Sequence, residues 1–255
     1  MSSGYRVPAV VSAAKILREL RRNGEEGATQ SELVRATGLS KSSMHNLLAT
    51  LEDEGFVGRD SRTKEYRLGP ALITLGAAAS GQARLIEIAA ERLAPLATEL
   101  GLSFAIAQTV GPYEAVIVER FYPPQGVHVG IRLGSTYGLY EGALGKCMLA
   151  ALPAGEVERI IDKRSIPAHT DRTLTRPGDL LAEVEQVRER GWGVSIQELN
   201  ENNAVAAGVR GRGEGLALML VALGFAEQLG GDRIEETGRR LAGISHQIRS
   251  SAGLE

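Results

Sequence analysis

The sequence contains a single cysteine and no apolar run of the length that a lipid bilayer requires. One cysteine excludes an internal disulfide and is typical of a protein in a reducing compartment. A membrane helix needs about 20 consecutive apolar residues, and the N-terminus lacks the hydrophobic core of a signal peptide. We therefore expect a bacterial cytoplasmic protein, associated with the nucleoid if it binds DNA, and no contact with a membrane.

Spacings typical of metal ligands are also missing. None of the four histidines forms a Cys/His pattern with Cys147, so we expect neither a metal nor a cofactor. The chain has no internal repeats and no low-complexity segment. With 255 residues and 43% hydrophobic content, it is long enough for two domains.

The net charge of −2 excludes a generic nucleic-acid coat, but the charge is unevenly divided. Residues 1–70 hold 11 basic and 9 acidic side chains, a balance of +2, whereas the remainder holds 18 basic and 22 acidic side chains, a balance of −4. A protein that binds DNA with its N-terminal part would show this asymmetry.

The stretch from Thr29 to Arg67 has the pattern of two short helices joined by a glycine turn and followed by a charged hairpin. Thr29 is followed three residues later by Glu32, which is the capping-box spacing at the start of a helix. Gly38 supplies the left-handed residue that ends this helix, and Ser40 caps the next one. This pattern predicts a helix-turn-helix.

The second of these helices is predicted to be amphipathic. Its apolar residues repeat at i, i+3, i+4 and i+7 and so form one buried stripe: Met44, Leu47, Leu48 and Leu51. The opposite face offers hydrogen-bonding side chains without one carboxylate: Lys41, Ser42, Ser43, His45 and Asn46. A helix of this kind, held by its apolar back, fits the major groove of duplex DNA.

A basic hairpin follows, with a turn predicted at Asp60-Ser61-Arg62. Arg59, Arg62 and Lys64 crowd its tip, where they would grip phosphates or enter the minor groove. A further helix over Val7–Leu20 completes a predicted winged helix-turn-helix in residues 1–69. The alternative is a small helical bundle whose polar face is only solvated. The coincidence of capped helix, glycine turn and basic wing favours DNA, with these predicted contacts: Gln30, Ser40, Lys41, Ser42, Ser43, His45, Asn46, Arg59, Arg62 and Lys64.

The remaining residues predict a linker and a larger domain. Residues 70–82 are alanine-rich and predict a linker helix that ends near Gly81 and would also pair two subunits. Residues 83–255 predict a mixed α/β domain, and a helix up to Leu100 should end or kink at Pro95 unless its last turns start there. Strands are predicted at Leu102–Val110, Glu114–Phe121, Val127–Arg132, Trp192–Gln197, Ala204–Arg210 and Leu216–Gly224. Helices are predicted at Gly142–Ala151, Ala154–Arg164, Asp179–Arg190 and about Asp232–Ser251.

Over nearly all of its length the chain resembles the IclR-type transcriptional regulators. The resemblance lies in SAAKILREL of the first helix, ELVRATGLSKSSMHNLLATLEDEGFV of the helix-turn-helix, and Tyr66-Arg67-Leu68-Gly69 of the wing. It continues in GSTYGLYEGALGKCMLAALP, which is similar to the family signature GSxxPLHxTAxGKAxLAxLP, and in Thr173-Leu174-Thr175 followed by DLLAEVEQVRERGWGV.

The resemblance implies an α+β chain, in which the winged helix-turn-helix is joined by a helical linker to a GAF-like mixed α/β effector-binding domain. It implies a regulator, repressor or activator, that binds a palindromic operator as a homodimer or a dimer of dimers. A small organic molecule in the C-terminal domain would then change the affinity for DNA. The implied effector-binding residues are Ser135, Tyr140, Glu141, Gly142, Ala143, Cys147, Trp192, Ser195, Val205, Met219, Val221 and Leu223.

Several positions depart from the family pattern. Asn46 stands where many relatives carry arginine, so the base preference cannot be transferred. Gly138 replaces the proline of the signature, Tyr140 its histidine and Gly142 its threonine or serine, and a run of apolar residues from Met219 replaces the usual terminal serines. We therefore expect a less polar pocket for an apolar, aromatic or amino-acid-like effector, or no effector. The backbone amides at the start of the helix after Tyr140 would still hold an anionic group.

Other chemistries are weaker interpretations. Gly145-Lys146-Cys147 lacks the first glycine and the final Ser or Thr of a phosphate-binding loop, and GVRGRGEG at 208–215 fails the dinucleotide spacing. Cys147 would be either a nucleophile beside Lys146 or a buried packing residue. Trp192 would line the pocket or pack in the core of its strand. The alternative function is a metabolite-binding protein or an enzyme in which the helix-turn-helix serves assembly, although we expect no enzymatic activity.

Overall fold

The structure is a computed structural model that describes residues 7–79, 83–111, 113–162, 165–213 and 215–254. The chain divides into two compact units, Met1–Gly81 and Gln82–Glu255. Within the described ranges, no helix combines the length and the apolar character needed to cross a membrane.

Three helices form the body of the first unit: α1 (Pro8–Asn23), α2 (Gln30–Thr37) and α3 (Lys41–Asp53). The predicted capping box is present, because Thr29 Oγ1 accepts a hydrogen bond from the Glu32 N–H while a Glu32 carboxylate oxygen accepts one from the Thr29 N–H at 2.8 Å. Gly38 ends α2 in the left-handed conformation, with φ +72°. The helices bury one apolar cluster with these central members: Ile16, Leu20, Leu33, Met44 and Leu48.

The hairpin follows α3 as two short antiparallel strands, β1 (Val57–Arg59) and β2 (Tyr66–Leu68). Ala28 adds a bridge on the other side of β2, since the backbones of Ala28 and Tyr66 exchange two hydrogen bonds of 3.0 and 2.8 Å. The ring of Tyr66 is buried in the cluster of the first unit. The wing is therefore fixed to the helices at its base, and its tip projects from them.

Helix α4 (Ala71–Ala79) begins directly after the wing. The turn before it requires glycine, because a Cβ on Gly69 would lie 2.2 Å from the carbonyl oxygen of Gly55. Ile73 and Leu75 of α4 are 74% and 53% exposed, so this apolar helix leaves large side chains uncovered. The break predicted near Gly81 lies outside the described residues.

The second unit is built on one six-stranded antiparallel sheet in the order β5-β4-β3-β8-β7-β6. Its strands are β3 (Ser103–Thr109), β4 (Glu114–Phe121), β5 (Thr136–Gly138), β6 (Trp192–Ile196), β7 (Asn202–Arg210) and β8 (Leu216–Phe225). Its helices are α5 (Ala83–Leu100), α6 (Gly142–Ala151), α7 (Ala154–Asp162), α8 (Pro177–Arg190) and α9 (Asp232–Ser251).

Helices cover both faces of this sheet. On one face α6, α7 and α8 pack with alternate strand residues such as Ala206 and Val221. On the other face α5 and α9 pack with the intervening residues, such as Val205 and Leu220. Because side chains alternate between faces along a strand, the sheet separates two apolar clusters.

The strand predicted at Val127–Arg132 is wrong, because these residues form no strand and β5 lies further along the chain. Side chains satisfy the backbone of this segment instead: Ser103 Oγ donates to Val129 O at 2.7 Å, and the Ile131 N–H donates to the Tyr122 hydroxyl at 2.8 Å. Val129 and Ile131 are buried while Val127 is 73% exposed, so the apolar alternation marks a partly buried segment whose backbone does not pair with the sheet.

Helix α5 continues through Pro95 to Leu100. Proline removes one N–H from the helical hydrogen bonds, but burial of Leu93, Leu96 and Ala97 against the sheet holds the helix on both sides of it. Residues 96–100 thus form the last turns of α5 after Pro95, which is one of the outcomes that the sequence analysis left open.

Candidate functional site

The front of α3 is exposed, as the sequence predicts. Helix α3 buries Met44 and Leu48 completely and leaves these side chains in solvent: Lys41, Ser42, Ser43, His45 and Asn46. Among the described residues, no side chain forms a hydrogen bond or an ion pair with the side chains of Lys41, His45 or Asn46. The apolar back therefore fixes the helix, and the polar front stays available for a ligand.

Three serines organise the start of α3. Ser40 is extended, with ψ 152°, and its hydroxyl accepts a hydrogen bond from the Ser43 N–H at 3.1 Å. The same hydroxyl lies 3.1 Å from Ser42 Oγ and 2.9 Å from Ser43 Oγ. The positive end of the helix dipole, with its free amide donors, thus lies among exposed hydroxyls, an arrangement that suits a phosphate.

Gln30 has a different position from the other predicted contacts. It is half-buried at the start of α2, and its Nε2 donates to the Lys41 carbonyl at 3.2 Å. This bond joins the beginnings of α2 and α3. Gln30 consequently positions α3 by a direct contact.

The wing tip is a tight, charged turn. The Asp60 carboxylate accepts hydrogen bonds from the Thr63 N–H and the Arg62 N–H at 2.9 and 2.8 Å, and these bonds hold the pKa of Asp60 below its usual value. Lys64 adopts a left-handed conformation with φ +62°. Arg62 and Lys64 are exposed at the tip, whereas the Arg59 guanidinium lies 5.4 Å from the centre of the Tyr66 ring.

A cavity of about 50 Å³ lies in the second unit, between the sheet and the start of α6. Five of the residues that the sequence implies for effector binding line it: Glu141, Ala143, Ser195, Val221 and Leu223. The others that line it were missed by sequence reasoning: Ile117, Ile131, Tyr137, Leu144, Leu199, Asn200, Asn202 and Ala204. Its walls are thus mainly aliphatic, with the Tyr137 ring and a few polar groups among them.

Glu141 dominates the electrostatics of this cavity. Its Oε2 accepts a hydrogen bond from the Gly138 N–H at 2.6 Å. Burial raises the pKa of the Tyr137 hydroxyl, and the nearby Glu141 carboxylate raises it further. No Lys, Arg or His is among the described residues that line the cavity. The cavity therefore carries one acidic group without a cation to balance it.

The loop between β6 and β7 closes one side of the cavity with Leu199 and Asn200. Lys146 Nζ lies 2.6 Å from both Glu198 Oε1 and the Val194 carbonyl, in a nearly buried ion pair. The hydroxyl of Thr173 donates to the Glu198 carbonyl at 2.7 Å. The loop is thus held to α6 and to the segment before α8.

Two implied effector residues lie on the face of the sheet opposite to this cavity. Trp192 and Val205 belong to the cluster under α5 and α9. A Cβ on Gly238 of α9 would lie 2.3 Å from the indole of Trp192, and the Arg190 guanidinium lies 4.2 Å above its ring. Trp192 is therefore the core residue that the sequence offered as its alternative.

Five further implied residues do not line the cavity: Ser135, Tyr140, Gly142, Cys147 and Met219. Tyr140 instead donates its hydroxyl proton to the Ile160 carbonyl at 3.0 Å, towards α7. Gly142 lies behind the wall, since a Cβ there would be 3.1 Å from Ser195 Oγ. Met219 packs in the cluster beneath α6, and Ser135 precedes β5, where its carbonyl accepts from the Ile117 N–H at 2.9 Å.

Cys147 is buried one turn further along α6 and its Sγ donates to the Ala206 carbonyl at 3.2 Å. Burial raises the pKa of its thiol to about 12. A thiol with this pKa is almost fully protonated at neutral pH and makes a poor nucleophile. Within the described ranges, no cluster of three or more His, Cys, Asp or Glu side chains is placed to hold a metal ion.

Two family models match the chain. The model described as "IclR helix-turn-helix domain" matches residues 9–61, and that described as "Bacterial transcriptional regulator IclR C-terminal" matches residues 77–249. The HTH-type transcriptional regulator KipR of Bacillus subtilis is 28% identical over 226 residues, which are 88% of this chain and 90% of KipR.

Solved structures share the fold. A crystal structure of an IclR transcriptional regulator from Alicyclobacillus acidocaldarius superposes with a TM-score of 0.86 at 27% identity, covering 96% of this chain and 99% of the other. An IclR homologue from Microbacterium hydrocarbonoxydans, complexed with 4-hydroxybenzoate, gives a TM-score of 0.78 at 19% identity, covering 95% and 98%.

Proposed function

This chain belongs to the IclR family of bacterial transcriptional regulators, with a helix-turn-helix DNA-binding domain and a C-terminal effector-binding domain, and we propose that it is a repressor whose helix α3 enters the major groove of its operator. The observation that carries this proposal is the exposed front of α3, where donors stand without a carboxylate above a fully buried Met44 and Leu48.

Each predicted contact has a separate task in this proposal. The hydroxyls of Ser42 and Ser43 and the side chains of His45 and Asn46 meet base edges in the groove. Lys41, at the first turn of α3, meets a phosphate. Arg62 and Lys64 of the wing hold the backbone or enter the minor groove. Ser40 and Gln30 fix the start of α3, so their substitution would misplace every other contact.

Two copies are proposed to read two half-sites of a palindromic operator. The exposed Ile73 and Leu75 on α4 support self-association, because a second copy would remove this apolar surface from water. The spacing of the half-sites is then set by how the two copies are joined. A dimer of dimers would read two such operators.

The cavity beside α6 is proposed to bind a small apolar or aromatic effector that carries an amino group. Aliphatic walls favour an apolar body, and the Glu141 carboxylate favours a cationic donor over a second anion. The effector changes operator affinity only as far as it binds the DNA-competent and incompetent arrangements with different affinity. We place this regulation in the cytoplasm and assign no catalytic step to the chain.

The DNA proposal is tested by selecting the operator from random duplexes and measuring its affinity across a salt series. Lys41→Ala and Arg62→Ala should each weaken binding and lower the salt slope by about one, the value for one lost phosphate contact. Arg212→Ala, which removes a cation from an exposed loop of the second unit, is the matched control and should leave the slope unchanged.

An unchanged slope in Lys41→Ala and Arg62→Ala would remove their assignment to phosphates. Failure of the full chain to select any duplex would remove the proposed operator. The rival view, in which the helix-turn-helix serves assembly of an enzyme, instead requires a turnover that Cys147→Ala abolishes.

The effector proposal is tested by the melting temperature of the full chain with benzylamine, benzyl alcohol and benzoate. The amine should raise the melting temperature most, and Glu141→Gln should weaken its binding roughly tenfold while retaining an oxygen for the Gly138 N–H. If only small dicarboxylates stabilise the protein, the apolar, amine-binding cavity is refuted.

A further inference from the structure

A second cleft, of about 220 Å³, opens at the edge of the sheet of the second unit. The last residue pair between β6 and β7 joins Trp192 to Ala207, but β7 continues to Arg210. Beyond Trp192, the side of β7 that faced β6 therefore has no strand beside it. The end of α6, the C-terminal half of α9 and the turn after α8 surround this gap.

Cationic side chains gather around this cleft. Arg188, Arg210 and Arg249 line it beside the imidazole ring of His246, and the described residues that line it include no Asp or Glu. The second unit carries more acidic than basic side chains. One of these arginines, Arg188, pairs with Glu185, which does not line the cleft. Arg210 and Arg249 therefore supply the positive charge of the cleft, in a domain whose own net charge is negative.

Other arginines of the same unit are neutralised by carboxylates. Arg176 pairs with Asp179, Arg190 with Glu183, Arg239 with Glu235 and Arg240 with Glu99. By contrast, neither Arg210 nor Arg249 forms an ion pair with a described residue. The cleft therefore contains arginine side chains whose positive charge no described carboxylate neutralises.

Arg249 carries the strongest indication of a ligand. Its Nε is buried and has no hydrogen-bond acceptor among the described residues. Among the residues from 215 to 254, its side chain makes one hydrogen bond, a long one of 3.5 Å from Nη2 to the Leu254 carbonyl. A buried donor without an acceptor is costly, and such groups are uncommon in folded proteins. A rotation of the guanidinium towards an anion in the cleft would give this nitrogen an acceptor.

Arg210 and Arg188 complete the cleft in different ways. Arg210 follows an irregularity in the register between β7 and β8 and is exposed. Its side chain forms no hydrogen bond or ion pair within the described ranges. Arg188 donates to the Ala150 and Leu152 carbonyls at 3.2 and 2.8 Å and pairs with the Glu185 carboxylate, so its guanidinium is fixed and neutralised at the end of α6. Arg188 thus forms a fixed wall of the cleft, whereas the Arg210 side chain can move to contact a ligand.

We propose that this cleft binds a small organic anion through a carboxylate or phosphate group held by Arg210 and Arg249. Apolar side chains of Ala150, Val187 and Leu216 border the cleft and would receive a short hydrocarbon part. The site is separate from the cavity at Glu141, whose charge has the opposite sign. It does not depend on the proposed effector, so either proposal can fail without the other.

The test is isothermal titration of the full chain with inorganic phosphate and, separately, with citrate, at constant ionic strength. We expect saturable binding of at least one of these anions. Arg210→Ser and Arg249→Gln should each weaken it roughly tenfold or more, the loss expected for a charge-assisted hydrogen bond. Arg212→Ser removes the same charge two residues from Arg210 but outside the cleft, and it should bind as the wild type does.

An equal loss in Arg212→Ser and Arg210→Ser would overturn the site, because it would show general screening by a basic surface. Absence of saturable binding of both anions would overturn it as well. Because Arg210 is exposed, its substitution tests the site even if Arg249→Gln fails to fold. Retention of the benzylamine response in Arg210→Ser would show that the two ligand sites are independent.

Discussion

The two units present their functional residues in opposite ways. In the first unit, the proposed DNA contacts come from two short stretches, 40–46 and 59–64, whose polar side chains lie on elements that apolar residues such as Met44 fix from behind. In the second unit, the cavity collects residues from Ile117 to Leu223, contributed by strands, a loop and α6. The proposed DNA-binding surface is therefore a local property of the sequence, whereas the cavity proposed for the effector exists only after the whole sheet has formed.

The largest effect expected from this difference is that of Leu48→Ala. Leu48 is fully buried behind the front of α3, and its truncation should cost about 2–5 kcal/mol. Scanning calorimetry should show the transition of the first unit shifted down while that of the second stays in place. The affinity for the operator should fall as the first unit loses stability. An equal shift of both transitions would contradict the independence of the two units.

Gly145→Ala makes the corresponding change in the second unit. A Cβ at this position of α6 would lie 2.5 Å from the Leu139 carbonyl oxygen, so backbone must move, at a cost of about 1–3 kcal/mol. Because α6 borders the cavity, effector binding should weaken while the first unit keeps its stability. Gly155→Ala, which has no atom within 4 Å of the added Cβ, is the control and should be tolerated. A loss in Gly155→Ala equal to that in Gly145→Ala would rule out the close approach as the cause.

Ser40→Ala tests whether a local contact, the cap at the start of α3, stabilises the first unit. Loss of the cap on the Ser43 N–H should destabilise the first unit by about 1 kcal/mol. Ser42→Ala removes a neighbouring hydroxyl that does not cap the helix and should leave stability nearly unchanged. Chemical denaturation of both variants measures the difference. A Ser42→Ala loss as large as that of Ser40→Ala would show that the cap is not the source.

The smallest expected effect is a dependence on pH that is local to the first unit. Hydrogen bonds from the Thr29 N–H and hydroxyl lower the pKa of Glu32 below its usual 4.5. The ionised form is therefore favoured in the folded state. Its contribution to stability is complete above the unfolded-state pKa and is lost as the pH falls through the folded-state pKa. From neutral to acid pH, the free energy of unfolding should fall less steeply in Glu32→Gln than in the wild type. Parallel curves of this free energy against pH would contradict the capping role.

The sequence predicted the first unit in detail because its determinants are local. The pair Thr29 and Glu32, the left-handed Gly38 and the apolar stripe behind Ser40 each act within a few residues, and each appears in the structure as expected. The basic tip of the wing followed from the position of a turn. The bond from Gln30 to the Lys41 carbonyl was not predicted, because it joins two helices and no local sequence pattern indicates it.

The cavity was predicted less well because both faces of the sheet are covered. Val205 and its neighbours Ala204 and Ala206 are all apolar, so alternation gives no sign of which face holds the effector. The implied Val205 was on the wrong face, and Ala204 lines the cavity instead. Sequence analysis did not identify Asn200 and Asn202, because Asn200 lies in a loop that the distant Lys146 and Thr173 position and Asn202 begins β7 directly after that loop.

The position of Trp192 has a practical consequence for experiments on this protein. It is the only tryptophan in the chain, it is 6% exposed, and it packs between Gly238 and the Arg190 guanidinium. Indole fluorescence therefore originates wholly in the second unit, from a site across the sheet from Glu141. With excitation selective for tryptophan over tyrosine, a shift in its emission would report repacking of the effector-binding domain without interference from the DNA-binding domain, which contains no tryptophan.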